Sequence, residues 1–130
     1  MITDNRTPIL LPTPENIQRA AAAILAGDLV AMPTETVYGV AANVMDEEAI
    51  QKLFKAKGRP AENPLIVHIS DFVQLEEIVA EWTPAADILA NRFWPGPLTL
   101  VLKKSDAIPS IVTGGLDTVA VRMPDPPVAL

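Results

Sequence analysis

The segment with the clearest chemical capacity is Lys55-Ala56-Lys57-Gly58-Arg59-Pro60-Ala61-Glu62-Asn63-Pro64. Lysines near a helix end ordinarily do no more than complement the macrodipole. Here the cations run past the helix end into a loop stiffened by Gly and Pro. That places Lys57 and Arg59 where a phosphate could be held by a point charge and a planar fork. Asn63 is then available for a hydroxyl or a base edge. Holding like charges together is costly without an anion, so the pattern favours an anion site over a solvated helix face.

Pro33-Thr34-Glu35-Thr36-Val37-Tyr38-Gly39-Val40 gathers three hydroxyls and a carboxylate behind an apolar run. It reads either as a polar turn at a strand end or as a loop holding an amino-acid or phosphate group, since strand ends in α/β folds are common ligand sites. His68, the one histidine, lies inside the apolar Leu65-Ile66-Val67-His68-Ile69. By pattern alone it reads as a core residue. Thr118 and Arg122 are four positions apart on an alternating run and so share one strand face. Arg122 at the strand's end suits two-pronged carboxylate binding, although a surface ion pair is the commoner fate of an arginine. Trp94-Pro95-Gly96-Pro97 reads as a structural corner.

These segments need elements to hold them. Thr13-Pro14 opens a helix carrying Ile17, Ala21, Ile24 and Leu25, which Gly27 ends. Leu29 to Met32 reads as a buried strand closed by Pro33. Asp46 to Lys57 reads as a helix with acidic residues in its first turn, lysines in its last, and a stripe of Ile50, Leu53 and Phe54. Leu65 to Ile69 is a strand. Ser70 is expected to cap a helix that buries Leu75, Ile78, Val79 and Trp82. Pro84 starts a further helix reaching Phe93. Leu98 to Leu102 and Thr118 to Arg122 are strands. Arg122 to Leu130 resembles the opening of a helix. Strands separated by helices predict an α/β fold, a sheet covered by helices, in a single domain.

Composition narrows the chemistry. The chain has 130 residues, is 49% hydrophobic and has only 5% aromatics, so its core must rest on aliphatic side chains. Its 13 prolines predict sharply ended elements. It has no cysteine, which removes disulfides, cysteine nucleophiles and thiolate metal sites, and fits a reducing compartment. No phosphate-binding glycine fingerprint or paired-histidine metal motif is present. A net charge of −6 argues against a general nucleic-acid binder. No apolar run is long enough to span a bilayer, and the chain is expected to be cytoplasmic.

In sequence order, PTETVYGV, KAKGRPAENPLIVHI, FWPGPLTLVL and TVAVRMPDPPVA resemble the motifs of the YrdC-type threonylcarbamoyl-AMP synthases, from about Pro12 to Leu130. The resemblance implies a YrdC-like twisted mixed sheet with flanking helices and a concave ligand pocket. It implies condensation of L-threonine, bicarbonate and ATP into L-threonylcarbamoyladenylate with loss of pyrophosphate. A downstream tRNA threonylcarbamoyl transferase would consume the product. Matched by motif, Thr36, His68 and Arg122 bind L-threonine, so that His68 becomes a substrate contact. Arg59, Asn63 and Thr118 bind ATP, with Lys57 and Arg59 as the catalytic cations at the phosphates. Mg2+ is implied alongside ATP, with no protein-ligated metal. Residues 1–12 are expected to be an extension and 13–130 the YrdC-like domain, incomplete at its C-terminus. The sequence departs from the family at Pro126, where members commonly have histidine. It also stops before a Ser-Ala-Asn segment that completes the family's nucleotide pocket. The other readings are a YrdC-like RNA-binding or carbamoyl-transfer module, or an inactive fragment.

Overall fold

Cap chemistry sets the limits of the helices. The computed structural model describes residues 7–34, 37–58 and 64–125. Helix α1, Pro14–Leu25, begins where the Asn16 backbone N–H donates to Thr13 Oγ1 at 3.2 Å. Helix α2, Glu47–Lys57, begins where the Ala49 N–H donates to Asp46 Oδ1 at 3.2 Å. Gly58 ends it in the left-handed conformation, at φ 62°, which a residue with a Cβ adopts only at a cost. The stripe read from α2 is buried as Ala49, Ile50, Leu53 and Phe54. In α1 no residue is fully buried and Leu25 is 77% exposed, so its apolar stripe is only partly covered.

Among the described residues the strands form two sheets. Strand β1, Val30–Pro33, pairs antiparallel with β2, Tyr38–Ala41, with Pro33 opposite Tyr38. β2 is an element that the sequence pattern did not reveal. The strand-end turn expected after Pro33 is therefore entered by Thr34 and left by Val37 within an antiparallel pair. The second sheet has the order β3-β5-β4, with β3 at Ile66–His68, β4 at Leu100–Lys103 and β5 at Thr118–Arg122. β5 runs parallel to β3 and antiparallel to β4, which makes this sheet mixed.

The segment after β3 departs from the helix expected there. Asp71, not Ser70, is the capping residue: its side chain accepts the Val73 N–H at 2.9 Å. The Gln74 side chain accepts the Ser70 and Asp71 N–H groups at 2.7 and 3.1 Å. This reciprocal box stabilises a 3-10 turn, Phe72–Gln74, followed by a short helix α3, Leu75–Ile78. The chain then leaves the helix because β4's extension recruits it: Val79 bridges Lys104, and the Ala80 N–H donates to the Lys103 carbonyl at 2.8 Å. Trp82 lies beyond the helix, half-buried, with its indole N–H on Asp87 Oδ1 at 3.0 Å. Helix α4, Pro84–Phe93, follows, capped by Thr83.

The alternation on β5 organises the core. Val119 and Val121 are buried, while Thr118, Ala120 and Arg122 are half-buried. Val67 of β3 and Leu100 of β4 stand opposite or beside Val121 on the inner face. Ile50 and Phe54 of α2, Ala86 and Ala90 of α4, and Ile108 and Val112 of the β4–β5 connection complete one apolar cluster with them. Helices therefore cover one face of the sheet. The other face carries Ile66, His68, Val101, Ala120 and Arg122, and Ile66 and Val101 are 44% and 63% exposed. The fold is mixed α/β, in agreement with the sequence.

Candidate functional site

The less covered sheet face brings two of the proposed ligand residues together. His68 and Arg122 are register partners on the parallel strands β3 and β5. Partners in register project to the same side, so the imidazole and the guanidinium rise next to each other at the C-terminal ends of their strands. The pairing is tied off by the Ile69 N–H, which donates to the Arg122 carbonyl at 3.0 Å. Both side chains are half-buried, sheltered enough to strengthen a charge-assisted contact yet reachable from solvent.

Arg122 is held from the neighbouring strand. Its Nε and Nη2 donate to Thr99 Oγ1 at 3.0 and 2.7 Å. Thr99 stands immediately before β4 and was not singled out in the sequence. No local pattern marks a contact between residues so far apart; only the β4–β5 register creates it.

The Trp94-Pro-Gly-Pro corner fastens this arrangement and is structural, as its residues suggest. The Trp94 indole N–H donates to the Leu98 carbonyl at 2.8 Å, and the Gly96 N–H to the Met123 carbonyl at 2.8 Å. The corner is thereby tied just ahead of Thr99 and just past Arg122. A side chain at Gly96 would place its Cβ 2.7 Å from the Phe93 carbonyl oxygen, so this close approach requires glycine.

Thr118 lies on the same face as Arg122 but at the opposite end of β5, about 13 Å along the strand. It therefore belongs to a different part of the face from His68 and Arg122. Its register partner is Lys103 of β4, an exposed cation that the sequence motifs had also passed over.

Lys57 occupies the last turn of α2, exposed, ahead of the left-handed Gly58. Its intended companions Arg59 and Asn63 lie outside the described residues, as does Thr36. In the hairpin tip the Thr34 hydroxyl is committed to the turn: it donates to the Val37 carbonyl at 2.6 Å and accepts the Val37 N–H at 3.2 Å. Among the described residues no group of three or more His, Cys, Asp or Glu side chains could hold a metal ion. No helix among them is long and apolar enough to cross a membrane.

Residues 22–130 match the Sua5/YciO/YrdC family, described as "Telomere recombination". The chain belongs to this family. The Sua5/YrdC relatives include a threonylcarbamoyl-AMP synthase of Pyrococcus abyssi, 60% identical over 114 residues, which are 88% of this chain and 34% of that protein. A threonylcarbamoyl-AMP synthase of Bacillus subtilis is 53% identical over 115 residues, 88% of this chain and 33% of that one. A solved structure described as P. abyssi Sua5 complexed with L-threonine superposes with a TM-score of 0.87 at 59% identity, covering 89% of this chain and 34% of that one. Escherichia coli YciO shares the fold at a TM-score of 0.77 and 21% identity, over 88% of this chain and 56% of that one. The chain spans about a third of the length of the synthases of P. abyssi and B. subtilis.

Proposed function

We propose that this Sua5/YrdC domain makes L-threonylcarbamoyladenylate from L-threonine, bicarbonate and ATP, for the threonylcarbamoyladenosine modification of tRNA. The observation that carries the reading is the His68–Arg122 pair, register partners on the less covered sheet face. Support comes from a relative of 59% identity whose structure is described as complexed with L-threonine, and from relatives named threonylcarbamoyl-AMP synthase.

In this reading Arg122 takes the threonine carboxylate and His68 makes a polar contact to the amino acid, joined by Thr36. The threonine amine adds to the carbon of bicarbonate, and water leaves as the carbamate forms. A carbamate oxygen then attacks the α-phosphorus of ATP, and pyrophosphate departs. No covalent enzyme intermediate is required, so the protein contributes orientation and charge stabilisation. Lys57, in the last turn of α2, and Arg59 serve the phosphates, while Asn63 and Thr118 hold the nucleotide. Mg2+ enters with the ATP phosphates in this scheme. Residues 13–130 act as one YrdC-like domain behind a short extension, residues 1–12. The setting is the cytoplasm, with a tRNA threonylcarbamoyl transferase taking the product. A net charge of −6 speaks against direct tRNA binding by this domain.

The test is pyrophosphate release by the full-length protein with L-threonine, bicarbonate and ATP omitted one at a time, the adenylate being identified by mass. Release that needs all three is the expected result. Release indifferent to threonine would overturn the reading.

A further inference from the structure

An arginine that receives a carboxylate must first be aimed. A free guanidinium on a flexible stem samples many rotamers, and binding through it loses that freedom. In this fold the loss is met beforehand. Two N–H groups on one edge of the Arg122 guanidinium, Nε and Nη2, converge on Thr99 Oγ1 at 3.0 and 2.7 Å. Because the group is planar, two donors on one oxygen fix its plane as well as its position.

The anchor is itself fixed. The corner before it is closed by the Trp94 indole on the Leu98 carbonyl, and the strand end after Arg122 is tied by the Gly96 N–H on the Met123 carbonyl. Trp94 is 7% exposed, so this brace belongs to the core. The chemistry of the anchor matters too. A carboxylate at position 99 would orient the guanidinium but also cancel its charge and compete with an incoming carboxylate. A hydroxyl orients it and leaves the charge in place.

We infer that Thr99 is a positioning residue for amino-acid recognition, aiming the Arg122 guanidinium at the substrate carboxylate without neutralising it. This rests on the reading of Arg122 as the carboxylate ligand. Thr99 acts through Arg122 and has no part in holding the nucleotide.

The experiment is calorimetric titration of the full-length protein with L-threonine and, separately, with ATP, in Thr99→Val, Thr99→Ser, Arg122→Ala and the Thr99→Val/Arg122→Ala double variant. Valine keeps the shape and removes the acceptor. Thr99→Val is expected to weaken L-threonine binding on the order of tenfold and to leave ATP affinity unchanged. Thr99→Ser should restore threonine affinity to within about twofold of the parent, and Thr99→Val should cost nothing further once Arg122 is alanine. Parent-like threonine binding in Thr99→Val, with binding lost in Arg122→Ala, would overturn the positioning role while leaving Arg122 as the ligand. Equal losses for ATP and threonine, or no rescue by serine, would reduce Thr99 to a structural residue. Unchanged binding in Arg122→Ala would overturn the carboxylate reading and this inference with it.

Discussion

His68 and Arg122 stand side by side on parallel strands, each the other's register partner. Their juxtaposition is set by backbone pairing, which is blind to the identity of either side chain. If the proposed function holds, substitutions at these two positions report on ligand binding more than on folding, provided that Val67 and Val121, their buried neighbours, stay intact.

Removing the substrate's negative charge should mimic removal of Arg122. L-Threonine methyl ester is expected to be turned over on the order of a hundredfold less efficiently than L-threonine. L-Serine, lacking one methyl, should lose only about 1–3 kcal/mol. Competitive pyrophosphate-release assays with the three compounds compare them directly, and equal efficiency of threonine and its ester would take Arg122 out of the carboxylate role.

At the other end of the substrate, Arg59→Ala in the full-length protein should lower the rate of pyrophosphate release on the order of a hundredfold or more, through loss of a charge-assisted phosphate contact. Its circular dichroism should match the parent. Near-normal turnover would place the phosphate clamp elsewhere.

The N-cap of α2 stands at the opposite end of the helix from Lys57. Asp46→Ala deletes the acceptor for the Ala49 N–H and should cost about 1 kcal/mol, whereas Asp46→Asn should be close to neutral. Urea unfolding midpoints of the two variants separate a capping role from a simple loss of charge.

Gly96→Ala forces a Cβ to within 2.7 Å of the Phe93 carbonyl. It should destabilise the protein by about 1–3 kcal/mol and, by loosening the corner that flanks Thr99 and Arg122, weaken threonine more than ATP. Denaturation and titration of the same variant test both effects. A fully stable Gly96→Ala protein would mean that the corner relaxes without consequence.

Much of this architecture was legible because its signals are local. Thr13 announces a helix start by a hydrogen bond that spans three residues, the acidic residues from Asp46 and the proline at Pro84 mark two more, and the alternation of Thr118 to Arg122 announces a strand with one buried face. β2 was missed because Tyr38-Gly-Val-Ala is short and the turn before it has no Asn-Gly or Gly-Gly signal; Thr34 closes it through its own hydroxyl. The helix expected to reach Trp82 stops at Ile78 because Val79 and Ala80 are claimed by β4 and its extension, a long-range competitor that local pattern cannot reveal. The site followed the same division. Motif order pointed to His68 and Arg122, whereas Thr99 and Lys103 acquire their places only through the register of β4 on β5.

The strand order β3-β5-β4 has a consequence for how the protein is made. The central strand is the last of the three to be synthesised, so a growing chain carries β3 and β4 with no partner between them until Thr118 to Arg122 has left the ribosome. During that interval each strand offers unsatisfied N–H and C=O groups to any neighbouring polypeptide. Slow synthesis between β4 and β5 should thus be more hazardous than a pause of equal length after β5, when insertion of one strand closes both edges and joins His68 to Arg122 in a single event.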